Sequence, residues 1–229
     1  MPTTQETLER QFVALVHEYM PIHRPYEIFR DFLGIGAAGL YLQHTSNTEV
    51  RTEVQQIGAR YTPADLDRFK QLMQTAKAAI KDSPYDFLGN CFHQLELNDK
   101  WRGQFFTPRN VAEMMTMMTI TSREDTPADD HIVTVLDPSV GGGSMLLAAV
   151  KSYGPTQKPN VFYTGMDIDI LAFQMTYIQM ELAGAATHVI WGNSLTDEVW
   201  KTWDTSAVST HKIYPRLHAQ RKDPFRRAG

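Results

Sequence analysis

The stretch Asp137-Pro138-Ser139-Val140-Gly141-Gly142-Gly143-Ser144 separates a run of β-branched residues from a run of small apolar ones. The preceding run, Ile132-Val133-Thr134-Val135-Leu136, is typical of a buried parallel strand, and the following run, 145–150, predicts a helix. Glycines at a strand-to-helix turn let a ligand approach the backbone, where free N–H groups of the helix start point outward. The stretch therefore predicts a cofactor-binding turn, while a glycine-rich loop that only turns the chain stays as the alternative.

Two downstream runs predict further strands of the same sheet. The second strand is predicted at Val161-Phe162-Tyr163-Thr164-Gly165-Met166-Asp167-Ile168-Asp169, which ends in acidic residues. The third is predicted at Thr187-His188-Val189-Ile190-Trp191, which is followed by Gly192-Asn193-Ser194-Leu195. A carboxylate at the end of the second strand offers two acceptor oxygens to the hydroxyls of a ribose. Because ligands of open parallel sheets bind outside the carboxyl ends of the strands, we expect one nucleoside-binding crevice at the three strand ends.

Four blocks of the sequence, in this order, resemble the adenine-specific DNA methyltransferases of type I restriction-modification systems, the N-6 DNA methylases. The blocks are Gly103-Gln104-Phe105-Phe106-Thr107-Pro108 with Val111 and Met114-Met115 behind it, Asp137 to Ser144, Gly165-Met166-Asp167, and Gly192-Asn193-Ser194-Leu195. Asp86-Phe87-Leu88-Gly89 resembles the helix that precedes them, so the resemblance covers residues 84–196. It implies a Rossmann-like sheet that binds S-adenosylmethionine, and methyl transfer to adenine in DNA.

The resemblance implies that each block contributes to one S-adenosylmethionine site. In this site, the first block contacts the cofactor and the glycine loop binds its methionine part. Asp167, rather than Asp169, binds its ribose, and the last block contacts its adenine. The implied cofactor-binding residues are Phe105, Phe106, Thr107, Pro108, Asp137, Ser139, Gly141, Gly143, Asp167, Ile168, Asn193 and Ser194. A sulfonium cofactor also needs a carboxylate near its positive charge, which Asp137 fits, and an apolar slot for adenine, which the Phe105/Phe106 pair fits. Two alternatives stay open: the two phenylalanines fit an ordinary core, and Asp137 fits a cap of the following helix.

The sequence departs from the family where the acceptor base should be held. Adenine methyltransferases carry, one strand further on, an Asn or Asp followed by two prolines and an aromatic residue, which hold the amine of a flipped-out adenine. The nearest match here is Asp223-Pro224-Phe225, which lacks one proline and follows the polar residues 217–222 instead of an apolar strand. These three residues are weak catalytic candidates, and a solvated basic tail is the better interpretation.

The organisation along the chain predicts helices first and an α/β sheet afterwards. Apolar spacing predicts helices at 4–20, 26–43, 48–60 and 63–80, the last with Thr62 as N-cap and Pro63 in its first turn. We expect a helical domain at 1–100, a Rossmann-like α/β domain with an incomplete sheet at 101–200, and a basic tail at 201–229. Within the tail, 206–209 and 211–214 fit an edge strand or a docking arm.

The composition describes a soluble globular protein without disulfides. The chain has 229 residues, of which 42% are apolar and 21% charged, and its single cysteine, Cys91, fits a reducing cytoplasm. Its longest apolar run, 32–42, is too short to span a bilayer, and no signal peptide is indicated. Eight scattered histidines without paired thiolates predict no metal site.

The charge is unevenly distributed. Residues 211–229 carry Lys212, Arg216, Arg221, Lys222, Arg226 and Arg227 against one acid, Asp223. Since the formal net charge is −4, this segment is about +5 and the remainder about −9. Residues 212–227 could therefore contact DNA phosphates, dock on the acidic body of the same or a second chain, or form a solvated tail.

Three classes of function are compatible with these patterns. The first is an adenine-specific DNA methyltransferase, and the second is a non-catalytic cofactor-binding regulatory or interaction subunit derived from one. The third, another nucleotide-binding protein such as a dehydrogenase, is disfavoured because Asp137-Pro138 before the glycines and the block from Gly103 to Pro108 have no role in a Gly-x-Gly-x-x-Gly fingerprint. We expect cofactor binding without adenine methylation by the chain alone, and a second polypeptide or self-association that completes the sheet.

Overall fold

The structure, a computed structural model, describes residues 3–18, 23–81, 83–97, 107–120 and 131–222. Helices occupy the first half of the described chain, as the apolar spacing predicted. They are α1 (Thr4–His17), α2 (Pro25–Tyr41), α3 (Thr48–Gly58), α4 (Pro63–Ile80), α5 (Phe87–Gln94) and α6 (Arg109–Thr119). Thr62 caps α4 as expected: its side chain accepts a hydrogen bond from Asp65 N–H, and Pro63 stands in the first turn.

The second half forms a four-stranded sheet in the order β1-β2-β3-β4. Its elements are β1 (Val133–Asp137), α7 (Ser144–Gln157), a 3-10 turn (Lys158–Asn160), β2 (Val161–Asp167), α8 (Ile170–Leu182), β3 (Thr187–Asn193) and β4 (Glu198–Asp204). The first three strands are parallel, whereas β4 runs antiparallel to β3. The α/β class and the three predicted strands are thus confirmed, and the carboxyl ends of β1, β2 and β3 meet at one edge of the sheet.

Two parts of the C-terminal region differ from the prediction. The fourth strand, Glu198–Asp204, was not anticipated, and it crosses the boundary expected at residue 200. Residues 206–209 and 211–214 do not form an edge strand or an extended arm, because they lie in or beside the helices α9 (Ser206–Thr210) and α10 (Ile213–Lys222). The chain leaves the sheet at Thr205, whose hydroxyl bonds back to Ala185 O at 2.7 Å, and Ser206 N–H then donates to Glu181 Oε2.

One hydrophobic core joins the N-terminal helices to the sheet. Val161 and Tyr163 of β2 are fully buried in this core, together with side chains of α1, α2, α4, α5, α7 and α8. Tyr41 of α2 stacks on Trp203 of β4 with ring centroids 4.5 Å apart, which ties the helices to the far edge of the sheet. On the opposite face, Phe162 packs in a smaller cluster with residues of α9 and α10.

Among the described residues, β1 and β4 are the two edge strands of the sheet, and β1 is the one beside the glycine-rich stretch. Gln220 of α10 bonds to both backbone groups of Ile132, with its Oε1 2.8 Å from the N–H and its Nε2 3.2 Å from the carbonyl. Beyond Ile132, no strand of the described residues pairs with this edge. Leu136, near the carboxyl end of β1, is 67% exposed.

Candidate functional site

The glycine-rich stretch forms the turn between β1 and α7 that the sequence predicted. Gly141 and Gly143 adopt positive φ values of 55° and 94°, which side-chain-bearing residues rarely adopt. Val140 N–H donates to Met166 O at 2.9 Å, so the turn folds over the end of β2. Val140, Gly142 and Gly143 are buried in this packing, whereas Pro138 and Ser139 are exposed.

Asp167, the last residue of β2, holds the turn with its carboxylate. Its Oδ2 accepts the N–H of Gly141 at 2.9 Å, and its Oδ1 accepts the N–H of Asp169 at 2.9 Å. Asp169 has a different task, because its carboxylate caps α8 by accepting Leu171 N–H at 2.8 Å. The geometry therefore separates the two acids, and Asp167 is the one that faces the glycine turn.

Asp137, the last residue of β1, does not cap the following helix. Its Oδ1 accepts the N–H of Ser139 at 3.1 Å within the turn itself, well before α7 begins at Ser144. Asp137 instead lines a cavity of about 150 Å³ above the turn. The other lining residues are Thr107, Ser139, Val140, Gly141, Gly142, Ser144 and Met145.

The charge at this cavity is negative. Burial raises the pKa of Asp137, and repulsion by Asp167 raises the pKa further, against a lowering contribution from the Ser139 N–H. Burial likewise raises the pKa of Asp167, although the backbone N–H groups that it accepts favour its ionised form. Among the described residues, no lysine or arginine lines this cavity. The site thus suits a ligand that brings positive charge and hydroxyl donors.

The segment upstream of α6 reaches the same turn. Ser144, at the start of α7, donates from Oγ to the carbonyl of Thr107 at 3.0 Å. Pro108 is the N-cap residue of α6. Helix α6 is joined to α7 by an ion pair in which Lys151 Nζ of α7 lies 2.8 Å from Glu113 Oε1 of α6. Thr107 therefore lies at the cavity as expected, with Pro108 beside it. Phe105 and Phe106 lie outside the described residues.

The predicted cofactor-binding residues at the carboxyl ends of β2 and β3 are not part of the cavity lining. Ile168 is 61% exposed, and its carbonyl accepts the indole N–H of Trp191 at 3.1 Å. Asn193 ends β3, and its Oδ1 accepts Leu195 N–H at 3.0 Å. Ser194 follows it, partly buried. Ile168 and Asn193 lie at the carboxyl ends of the neighbouring parallel strands β2 and β3, the edge of the sheet that also carries Asp167.

Gly142 is one of four lining residues, with Val140, Ser144 and Met145, that were not among the predicted site residues. A Cβ on Gly142 would lie 2.5 Å from Oδ1 of Asp86, whereas one on Gly143 would lie 3.3 Å from the hydroxyl of Thr176. The glycine triplet itself was the available signal. The sequence could not show that the middle glycine packs against a residue from the N-terminal helices.

The basic C-terminal segment is partly used inside the molecule. The guanidinium of Arg216 donates to Pro159 O at 2.6 Å and to Asn160 Oδ1 at 2.5 Å, so this residue is not part of a solvated tail. The weak catalytic candidates Asp223, Pro224 and Phe225 lie outside the described residues. The residues before them form α10 and not a strand of the sheet.

Metal binding and membrane crossing have no structural basis in the residues that the structure describes. Within these ranges, no group of three or more His, Cys, Asp or Glu side chains is arranged to hold a metal ion. No helix in the described part of the chain has the length and apolar character needed to cross a membrane.

Comparison with known proteins identifies the family. The sequence pattern of the N-6 DNA Methylase family matches residues 83–215. A type I restriction enzyme MpnII methylase subunit of Mycoplasma pneumoniae is 28% identical over 160 residues, which is 68% of this chain but 27% of that protein. The crystal structure of a type I restriction-modification methyltransferase subunit from Streptococcus thermophilus is similar over 87% of this chain and 60% of its own, with 15% identity and a TM-score of 0.43. Because the family pattern covers more than half of the sequence, the chain belongs to the N-6 DNA Methylase family.

Proposed function

We propose that this chain is the S-adenosylmethionine-binding part of an adenine-specific DNA methyltransferase of the type I restriction-modification kind. One observation carries the proposal: Asp137 and Asp167, both partly buried and with no lysine or arginine among the described residues of the cavity lining, flank a glycine turn with positive φ angles. S-adenosylmethionine supplies a positively charged sulfonium and a methyl group. The two acids supply the complementary charge beside the glycine turn.

The residues of the site match the parts of this cofactor. Asp167 already accepts one N–H at each oxygen, and each carboxylate oxygen has a further lone pair for a ribose hydroxyl. Asp137 faces the cavity, where the methionine part would lie against Gly141 and Gly142. The exposed side chain of Ile168 and the polar ends of Asn193 and Ser194 continue the crevice toward an adenine ring.

The acceptor side of the reaction is incomplete in this sequence. Its 229 residues contain no two adjacent prolines, so the Asn/Asp-Pro-Pro-aromatic segment that holds a flipped adenine is absent. Methyl transfer requires the amine to be held in line with the sulfonium, because alignment supplies much of the rate. We therefore expect this chain alone to bind the cofactor without methylating adenine.

The open edge of β1 supports a second polypeptide as the source of the missing residues. The matched region corresponds to only 27% of the length of the Mycoplasma pneumoniae relative. In the described part of the chain, the outer edge of β1 lacks a partner strand and carries the exposed Leu136, beside the cavity that begins at Asp137. An added strand would use the unpaired backbone groups of this edge and bring its residues next to the cofactor. Self-association through the same edge is the alternative.

The same proposal implies that the chain contacts DNA and works in the cytoplasm. The basic residues at 212–227, without Arg216, are the candidates for contact with DNA phosphates. A chain that modifies chromosomal DNA in bacteria works in the cytoplasm, and the free, buried thiol of Cys91 is compatible with such a reducing compartment.

A second candidate function has the same cofactor site but no reaction. A cofactor-binding regulatory or interaction subunit derived from a methyltransferase would also keep the glycine turn and lose the amine-holding segment. The observation that favours it is the absence of that segment from the sequence.

A methyl-transfer assay separates the two candidates. Purified chain is incubated with tritiated S-adenosylmethionine and unmethylated DNA, alone and together with the part of a longer family member that carries the Asn/Asp-Pro-Pro-aromatic strand. We expect no transfer alone and transfer in the mixture, and a Leu136→Arg variant should bind cofactor normally but fail in the mixture. Transfer by the chain alone that disappears in Asp223→Ala would instead show that this sequence holds its own catalytic residues.

A further inference from the structure

We infer that Asp86 and Gln179 form a positioning pair that fixes the backbone of the glycine turn from the side opposite the cavity. The inference rests on the proposed binding of S-adenosylmethionine and adds to it a contribution from the N-terminal helices. Neither residue touches the cavity. Both would act through the backbone of Gly142.

Gln179 of α8 connects three separate segments of the chain. Its Oε1 accepts the N–H of Leu88 at 2.9 Å, while its Nε2 donates to Asp86 Oδ1 at 2.9 Å and to the carbonyl of Gly142 at 2.5 Å. The side chain is fully buried. The amide therefore has hydrogen-bond partners at both ends, and it transmits the position of the α5 start to the glycine turn.

Asp86 supports this arrangement directly from the start of α5. Its Oδ1 accepts Gly89 N–H at 2.9 Å as the N-cap of the helix, in addition to the bond from Gln179. An ideal Cβ on Gly142 would lie 2.5 Å from Oδ1 and 2.6 Å from Oδ2 of this carboxylate. The backbone of the turn thus packs against Asp86 at a distance that only glycine permits.

Thr176 completes the support, one turn before Gln179 on α8. Its hydroxyl donates to the carbonyl of Gly141 at 3.0 Å, so consecutive carbonyls of the turn are both bonded to α8. In a trans peptide the C=O and the following N–H point in opposite directions. Fixing the carbonyl of Gly141 toward α8 therefore directs the N–H of Gly142 away from α8, toward the side on which Gly142 lines the cavity.

The chemical consequence is a preorganised donor for the ligand. A backbone N–H whose direction is fixed before binding loses no conformational freedom when a carboxylate or another acceptor group of the cofactor arrives. Thr176 sets the direction of this N–H through the Gly141 carbonyl, and Gln179, held by Asp86, fixes the other end of the same residue through the Gly142 carbonyl. Asp86 and Gln179 are thus positioning residues for the cofactor, and α5 becomes part of the site although it lies outside the sheet.

Capping of α5 is the simpler role that the experiment must separate from positioning. Serine is a good N-cap but is too short to cap α5 and also reach Gln179, whereas asparagine keeps an acceptor oxygen for both bonds. Asp86→Ser therefore keeps the cap and loses the pair, and Asp86→Asn keeps both. Gln179→Met removes the bridge from the other end. Gln174→Met, the same change at a partly buried position on the same helix, is the matched control.

Two measurements are made on each folded variant: the dissociation constant of S-adenosylmethionine by calorimetry, and amide hydrogen exchange of residues 138–147 without cofactor. We expect Asp86→Asn and Gln174→Met to resemble the wild type. Asp86→Ser and Gln179→Met should each weaken binding on the order of tenfold and accelerate exchange in the turn, while the unfolding midpoint of Asp86→Ser stays near the wild-type value. Their double variant should lose little more than either single variant, because both changes remove one connection.

The outcomes distinguish this inference from the proposed function. If Asp86→Ser and Gln179→Met bind cofactor and exchange in the turn like the wild type, the positioning role is wrong while cofactor binding stands. If the wild type does not bind S-adenosylmethionine, the proposed function fails and the positioning of a cofactor fails with it, whatever the exchange rates show about the turn.

Discussion

Asp167 combines two tasks in one carboxylate. It fixes the turn by accepting the N–H of Gly141, and it keeps lone pairs for a ligand at the open end of β2. The neighbouring Asp169 resembles it in sequence but is committed to the start of α8. This difference makes the pair a natural test of the site.

Replacement of Asp167 by alanine should weaken S-adenosylmethionine binding by about ten- to a hundredfold, because it removes a charge-assisted contact of roughly 1.5–3 kcal/mol. The control is Asp169→Asn, which keeps a side-chain oxygen for the cap of α8 and should bind like the wild type. Both affinities are measured by calorimetry on folded protein. Equal affinities of Asp167→Ala and the wild type would remove Asp167 from the site.

The affinity for S-adenosylmethionine should fall when the pH is lowered from neutral. Burial raises the pKa of Asp137 and of Asp167 above the ordinary aspartate value of about 3.9. The ionised acids attract the sulfonium, so binding is strongest above the raised pKa values and is lost as the pH falls through them. The loss should be smaller for S-adenosylhomocysteine, which has no sulfonium charge. Titrations at several pH values with both ligands measure this, and an affinity that rises on acidification would contradict it.

Gly142→Ala should abolish cofactor binding and lower the free energy of unfolding by about 1–3 kcal/mol, because the new methyl group collides with the carboxylate of Asp86. Gly39→Ala on α2 is the matched control, since a Cβ there meets nothing within 4 Å and alanine favours the helix. Chemical denaturation and calorimetry report the two effects. Unchanged binding by Gly142→Ala would mean that the turn tolerates displacement from Asp86.

At the scale of elements, the sequence patterns correctly predicted those helices, strands and turns whose formation depends on residues close together in the sequence. Leu8, Phe12 and Leu15 recur at helical spacing, and α1 buries Phe12 and Leu15 as that spacing indicates. The β-branched runs before the glycine turn and before Asp167 became β1 and β2. The turn itself was predictable because glycine at a strand-to-helix junction has few other uses.

The elements that were missed depend on contacts across the chain. Strand β4 alternates weakly and carries charged residues because it is an edge strand, with Lys201 paired to Glu53 of α3 at 3.2 Å. The segment after it contains Val208 and Ile213, which favour strands locally. These side chains instead pack as helices α9 and α10 on the sheet face that Phe162 occupies. Contacts in the tertiary structure therefore determine both that β4 is a strand and that α9 and α10 are helices.

The residues of the candidate site likewise fall into a group that local sequence patterns predict and a group that depends on contacts between distant parts of the chain. Asp137, Gly141 and Asp167 could be found from sequence because each stands at the end of a strand or in the turn that follows one. The contacts of Gln179 to Asp86 and Gly142 join residues that are distant in sequence, so no local pattern specifies them. The available signal was a set of polar residues in the largely apolar helix α8, namely Gln174, Thr176, Gln179 and Glu181, and the sequence does not show which of them contact the turn.

At the scale of the whole molecule, charge and sheet topology predict how the chain meets its partners. The net negative charge of the chain outside residues 211–229 repels DNA phosphates. The guanidinium of Arg216 donates hydrogen bonds to Pro159 O and Asn160 Oδ1. We therefore expect the other basic residues of 212–227 to be the ones that attract phosphates.

Binding of this chain alone to duplex DNA should accordingly be weak and should disappear between about 50 and 200 mM salt, because release of counterions supplies most of the affinity. Fluorescence anisotropy with a labelled duplex measures the salt slope. Lys212→Ala should reduce that slope, whereas Arg216→Ala should mainly lower the unfolding midpoint. Tight binding at high salt would instead indicate a specific DNA site in this chain.

The central claim is that the crevice above the glycine turn binds S-adenosylmethionine. Calorimetric titration of the purified wild-type chain with S-adenosylmethionine, S-adenosylhomocysteine and NAD tests it most directly. We predict saturable one-to-one binding of both adenosyl ligands, with a preference for the charged S-adenosylmethionine near neutral pH, and no binding of NAD. Heat of binding from NAD, or from none of the three ligands, would contradict the assignment of the site.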